Sequence, residues 1–305
     1  MTTSVPVPAL DRDLIGRLRT DVIASTWTVE NLQTLISEGA LSALMRDSRL
    51  PALVELAGAT DPAAVLTRFF ILGLPERASA LNEALPTLGA RGLQSLGLAA
   101  TIDEAEAASA LVMPPAGGAP KREPKEEREE ASSPKASSLP TMRDPDEEAP
   151  ESEPEVEADS WMRALYDLRP HAASLPGGDH EWWVASDLGE VQTGKPLSDD
   201  HVLGIGGATL TLLEMTVRER VDSALDVGCG CGIQALYLAT HADRVVATDL
   251  SSRACALTQF NAALNEAVID VREGSLFEPV EGETFDLIVT NPPFVITPDS
   301  VRGAA

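Results

Sequence analysis

Three apolar segments between Ser223 and Phe294 each end on residues that a strand interior would reject, and this constrains the fold more than any other feature. Ala224-Leu-Asp-Val-Gly-Cys-Gly-Cys-Gly232 reads as a strand running into a glycine-rich turn and then into a helix-like segment. Arg244-Val-Val-Ala-Thr-Asp249 is a second strand that closes on a carboxylate, and Phe285-Asp-Leu-Ile-Val-Thr290 is a third that delivers Asn291-Pro-Pro-Phe294. Strand, turn, helix, strand and terminal acid, in that order, fit a doubly wound α/β sheet. Such a sheet holds an adenosine-type ligand beyond the carboxyl ends of its strands.

The glycine spacing narrows the ligand. In the dinucleotide fingerprint G-x-G-x-x-G, the third glycine allows tight helix–strand packing beside a pyrophosphate. Counting from Gly228 and Gly230, that glycine should stand at 233, which is Ile233; it stands at Gly232 instead, with Asp226 two residues before the first glycine. This G-x-G-x-G version suits a ligand with a methionine-like end and no pyrophosphate. Asp249, at the tip of the next strand, is placed to accept hydrogen bonds from ribose hydroxyls. The plainer alternative is a turn that only lets a helix pack on a sheet.

On these residues, 201–298 resemble the first half of a class I S-adenosylmethionine-dependent N-methyltransferase, a methyltransferase small domain with an Asn-Pro-Pro-Tyr/Phe motif. The group includes release-factor glutamine methyltransferases and several ribosomal-RNA guanine and DNA adenine methyltransferases. The resemblance implies a Rossmann-like sheet and S-adenosylmethionine as cofactor. It assigns Asp226, Gly228, Gly230 and Gly232 to the methionine turn, Asp249 to the ribose, its neighbour Leu250 to the cofactor site, and Ser275 and Leu276 to the adenine side. Ser275 departs from the family, which usually has Gly-Asp-Leu where this chain has Gly274-Ser275-Leu276.

Asn291, Pro292, Pro293 and Phe294 are the candidate catalytic residues. An amide or aromatic amine nitrogen is planar, its lone pair is delocalised, and it is a poor nucleophile. The Asn291 carboxamide oxygen and the Pro292 carbonyl can each accept one of its N–H groups, which orients the nitrogen and favours developing positive charge. Proline fixes φ and helps aim that carbonyl, and Phe294 offers a flat face for stacking. No general base is required, because the proton can leave after methylation. The alternative is a proline-rich strand exit.

A chain of 305 residues has room for two domains. Its net charge of −25 disfavours a broad phosphate-tracking surface. Met1–Leu10 shows no signal-peptide pattern, no apolar run approaches the ~18 residues of a membrane span, and the three cysteines fit no disulfide framework. The chain reads as cytoplasmic. The four histidines show no ligand pairing beside Cys229 and Cys231, so no metal is expected.

Residues 1–113 read as a mainly helical domain. Asp11 precedes a helix with Leu14, Ile15 and Leu18; Thr28 caps one with Val29, Leu32 and Leu35; and Asp61-Pro62 opens a third. Helices follow around Glu76–Ala84 and Arg91–Ser95, then strands at Ala99–Ile102 and Ala110–Met113. That order is what a winged helix gives, serving either DNA contact or, better suited to the acidity, packing or substrate docking. Between Pro114 and Asp159 stand nine prolines, fourteen Asp/Glu and six Lys/Arg. With so little to bury, residues 114–159 are expected to be a disordered acidic linker or insertion. It either separates two domains or interrupts a hairpin.

Residues 160–200 hold connecting strands, Trp161–Leu168 and Glu181–Asp187, with Trp182-Trp183 read as core cover. Residues 201–305 form the cofactor-binding half. Within it, Gly206 and Gly207 enter a helix over Leu210–Arg218 that Thr211 and Glu214 are spaced to cap. Strands are placed at Ser223–Val227, Arg244–Thr248, Val268–Val271 and Phe285–Thr290. A class I sheet usually has seven strands, so the chain is expected to be truncated, with Leu287–Val289 on an open edge. The acceptor is a planar nitrogen, with a protein glutamine favoured over a guanine or adenine amine of RNA or DNA. A non-catalytic cofactor-binding or interaction protein is the alternative from another class.

Overall fold

The computed structural model describes residues 5–46, 48–111, 156–157 and 159–291. The linker expected between 114 and 159 falls almost wholly outside them, as do Pro292, Pro293 and Phe294.

The first helix, α1 (Arg12–Ala24), starts where Asp11 accepts from the Asp13 and Leu14 amides, and it buries Ile15, Leu18 and Val22. Thr28 caps α2 (Val29–Leu35) through the Asn31 amide. Two helices that the pattern does not reveal follow, α3 (Glu38–Leu44) and α4 (Leu50–Glu55). Asp61 caps α5 (Pro62–Leu66), which continues as a π turn over Thr67–Ile71. Next come β1 (Glu76–Arg77), α6 (Ala78–Ala84), α7 (Gly89–Ser95) and β2 (Ala99–Ile102).

The strand expected at Ala110–Met113 is not found. Ala110 and Leu111 belong to a helix, α8 (Glu104–Leu111), whose start Asp103 supports by accepting from the Glu106 amide, while Val112 and Met113 lie outside the described residues. The partner of β2 is instead β3 (Trp161–Ala164), antiparallel to it and also to β1, in the order β1-β3-β2. The acidic stretch therefore falls between the two strands of a hairpin. A short break at Leu165 splits the strand expected over Trp161–Leu168, and β4 (Tyr166–Leu175) pairs with β5 (Gly178–Asp187) in a long antiparallel ribbon.

After α9 (Glu190–Thr193) comes α10 (Gly207–Met215). It begins at Gly206 rather than under a Thr211–Glu214 box: Thr211 already lies inside the helix, and its hydroxyl donates back to the Gly207 carbonyl at 3.0 Å. Then follow β6 (Val221–Val227), α11 (Ile233–Leu238), β7 (Ala242–Asp249), α12 (Ser252–Leu264), β8 (Asp270–Glu273), a 3-10 turn over Glu278–Val280 and β9 (Leu287–Thr290). The last two strands start two residues later than their apolar runs.

These four strands form a parallel sheet in the order β8-β7-β6-β9. From β6 the chain steps through α11 to β7 and through α12 to β8, then returns to place β9 on the other side of β6. The reversal puts a switch point between β6 and β9, where doubly wound sheets open a crevice at their carboxyl ends. Ala224, Ala235, Leu238, Val245 and Ala247 pack one cluster, and Leu225, Val227, Val246 and Val280 another. A larger core joins α1, α5 and α6 to β4, β5, α11 and α12, so residues before 111 and after 156 belong to one compact unit.

Candidate functional site

Both faces of β6 are covered towards its end, which buries Ala224, Leu225, Asp226 and Val227 in succession, and the glycine turn then reverses the backbone. Gly228, Gly230 and Gly232 have φ of 76°, 55° and 81°, a region where a side chain is strained. The three are not equivalent. A Cβ at Gly228 or Gly230 would meet nothing within 4 Å, whereas one at Gly232 would strike Thr258 Cγ2 at 2.8 Å. Gly232 is thus the packing glycine, against α12, and the first two face open space. That open face lies beside bare backbone.

The turn is held through backbone bonds. The Gly228 and Cys229 amides both donate to the Thr248 carbonyl, at 2.8 and 3.0 Å, and the Gly230 amide donates to Asp249 Oδ2 at 3.0 Å. The other oxygen, Asp249 Oδ1, accepts from the Ser251 amide at 2.9 Å, fixing the entry to α12. Each carboxylate oxygen has two acceptor sites, so Asp249 braces the turn and keeps acceptor capacity for further donors.

Asp226 is almost fully buried, and its Oδ2 accepts from the Ala235 amide in α11 at 3.1 Å. Burial pushes its pKa up to about 7, with the Asp249 charge adding in the same direction. Its side chain ties the end of β6 to the first turn of α11 and is closed off from solvent. Cys229 and Cys231 are buried as well; the neighbouring Cys255 thiol and burial push Cys229 up, and burial pushes Cys231 to about 11. Both remain thiols that fill space. Among the described residues no group of three or more His, Cys, Asp or Glu is placed to hold a metal ion.

The remaining expected residues cluster at the neighbouring strand ends. Leu250, just past β7, is 74% exposed, and Leu276, beyond β8, is 62% exposed with a φ of 49°. Ser275 precedes it, and the loop is tied to β7 by Gly274 N donating to the Asp249 carbonyl and by Thr248 Oγ1 donating to the Leu276 carbonyl. On the other side of the switch point, Val227 pairs with Thr290 and Thr290 Oγ1 donates to the Val227 carbonyl at 2.8 Å. Asn291 therefore leaves β9 beside the first glycine of the turn. A separate cleft of about 710 Å³ lies on the sheet face shared by Leu225 and Ile288, floored by Val280 and Phe285.

Two supports of the site carry no obvious sequence signature. Thr258 Oγ1 donates to the Gly230 carbonyl at 3.0 Å, and Asn261 Nδ2 donates to the Cys231 carbonyl at 2.8 Å. Arg253, near the start of α12, is braced by Asp187 in β5 and donates to Tyr166 Oη at 2.9 Å. The available signal was polar residues spaced along an otherwise apolar helix.

Comparison with known proteins bears on the same stretch. Residues 204–303 match the methyltransferase small domain family, and residues 24–110 match a domain of unknown function, DUF7059. The release factor glutamine methyltransferase of Deinococcus radiodurans is 37% identical over 153 residues, 48% of this chain and 52% of that protein. That of Geobacter sulfurreducens is 43% identical over 96 residues, 30% of this chain and 34% of that protein. The ribosomal RNA small subunit methyltransferase C of Alcanivorax borkumensis is 37% identical over 70 residues, 23% of this chain and 21% of that protein. The chain thus matches about half or less of the length of these relatives. Among the described residues no helix is long and apolar enough to cross a membrane.

Proposed function

We propose that this chain, whose residues 204–303 carry a methyltransferase small domain, transfers a methyl group from S-adenosylmethionine to a planar amide or amino nitrogen. One juxtaposition carries the reading: a glycine turn with two residues open to a ligand ends β6, and Asn291 leaves the adjacent β9 across the switch point. When bound, S-adenosylmethionine supplies a sulfonium methyl. The backbone at Gly228 and Gly230 receives its amino-acid end, Asp249 accepts from its ribose hydroxyls with Leu250 beside it, and Ser275 and Leu276 flank its adenine.

Asn291 does the orienting. Its carboxamide oxygen accepts one N–H of the incoming nitrogen and the Pro292 carbonyl the other, so the nitrogen faces the cofactor with developing positive charge stabilised in advance. Phe294 stacks the planar group. The proton leaves after transfer, so the site needs no basic side chain.

A protein glutamine is the favoured acceptor. Support comes from relatives named release factor glutamine methyltransferases and from a net charge of −25, which repels a phosphate backbone. The second reading is a base amine in ribosomal RNA, favoured by the relatives named ribosomal RNA small subunit methyltransferase C. Incubating the chain with radiolabelled cofactor and either release factor or ribosomal RNA separates them. Label in the protein fraction supports the first and label in RNA the second; tight cofactor binding with label in neither would make the chain a binding protein.

A further inference from the structure

Two asparagines four residues apart, Asn261 in α12 and Asn265 at its C-cap, are buried near Leu257, Phe260 and Leu264. A buried amide without partners is costly, and one strand satisfies both. Asn261 Oδ1 accepts from the Ala185 amide and Nδ2 donates to the Ala185 carbonyl, each at 2.8 Å. Asn265 repeats this on Trp183, at 2.9 and 2.8 Å. Helix residues four apart rise about 6.0 Å and strand residues two apart about 6.6 Å. The spacings match closely enough for the two amides to dock on β5 as another strand would.

The pair is not symmetric. Asn261 Nδ2 also donates to the Cys231 carbonyl in the glycine turn, at 2.8 Å, while Asn265 Nδ2 donates to the Asn261 carbonyl in its own helix. A turn made largely of glycine and small buried cysteines has few side chains to hold its shape, so backbone bonds must do so. Asn261 grips the turn and the β4–β5 ribbon with one amide.

We propose that Asn261 is a positioning residue for the cofactor: it fixes Cys231, and with it Gly228 to Gly232, against β5, whereas Asn265 serves the helix–strand contact alone. The inference rests on the cofactor reading above. It makes cofactor affinity depend on a side chain that does not face the open side of the turn.

Asn265 supplies the control, since it makes the same two bonds to β5 and none to the turn. In the 305-residue chain, Asn261→Ala and Asn265→Ala should both lower the urea midpoint. Only Asn261→Ala should weaken S-adenosylmethionine binding in calorimetry, by about tenfold, the factor that corresponds to ~1.4 kcal/mol. Hydrogen exchange of the 228–234 amides, without ligand, should quicken in Asn261→Ala and not in Asn265→Ala. Equal changes of affinity and exchange in the two variants overturn the proposal. Should the wild-type chain bind no S-adenosylmethionine, the functional reading falls, and the exchange comparison alone decides whether Asn261 holds the turn. If Asn261→Ala does not fold, Asn261→Ser, whose hydroxyl reaches fewer of the three groups, carries the same comparison.

Discussion

Strands β6 and β9 lie side by side in one parallel sheet and end together, yet their ends are built in opposite ways. At the end of β6 the backbone is bonded inward: amides of Gly228 and Cys229 to Thr248, Gly230 to Asp249, Ala235 to Asp226. At the end of β9 the strand pairs on one side only among the described residues, Ile288 is half exposed, and Asn291 emerges at the margin. Backbone fixed in this way suits the holding of a ligand, because rearrangement on binding would cost affinity. A reacting nitrogen is steered by a side chain at an opening, where a substrate can arrive. On the proposed function, the β6 end would be the holding half of the site and the β9 end the working half.

The largest effect expected from testing this contrast is on stability at the β6 end. Asp226 has a pKa raised from 3.8 to about 7 by burial. The folded state thus binds this proton more tightly than the unfolded state, and stability from this group falls as pH rises from about 4 to about 7. Asp226→Asn keeps an oxygen for the Ala235 amide and removes the charge. Relative to wild type, the variant should gain stability across that window, reaching roughly 4 kcal/mol at pH 8 from a shift of about three units. Urea unfolding at a series of pH values measures it, and a pH-independent difference would mean that Asp226 is not the buried charge inferred here.

Next is the β9 end. Asn291→Ala should slow methyl transfer by about 10²–10³-fold, as removal of an oriented polar group does elsewhere, with cofactor affinity unchanged. Single-turnover rates set against calorimetry test the split. A parallel fall in affinity would erase the distinction between the two ends. Asp249→Ala, on the holding side, should cost roughly 1.5–3 kcal/mol of cofactor binding, the worth of a charge-assisted hydrogen bond. Preference for NAD over S-adenosylmethionine in the same experiment would remove the assignment. The smallest effect is expected outside both ends. Removing residues 116–157 should leave circular dichroism and cofactor binding as they were, because β2 and β3 already pair across the cut; cooperative loss of structure would show that the stretch contributes to the fold.

Much of this frame is legible in the residues because it is set locally. The Asp11, Thr28 and Asp61 caps each accept from an amide two or three residues ahead. The turn glycines are demanded by their own φ values, and strand ends follow from where apolar runs meet Gly, Asp or Asn. Where local pattern misled, a more distant contact or a competing bond explains it. Ala110 and Leu111 look strand-like by side chain, but the segment from Glu104 is helical after Asp103, and β2 finds its partner beyond residue 160. Thr211 and Glu214 have capping-box spacing, yet the helix has already begun at Gly207 and the Thr211 hydroxyl is bonded back into it.

By itself, then, the sequence determined the glycine turn, the acid that ends β7, the position of Asn291 at a strand exit and the caps of the N-terminal helices. Each depends on φ preferences and on partners within a turn or two of chain. Only the tertiary structure decided which of three similar glycines packs and which two face open space. It alone ties Asp226 to α11 and lets Asn261 in α12 and Asn265 at its C-cap complete the edge of β5 from 76 and 82 residues away. A buried polar group is set by the partner that satisfies it, and when that partner lies on another element, no local spacing encodes it.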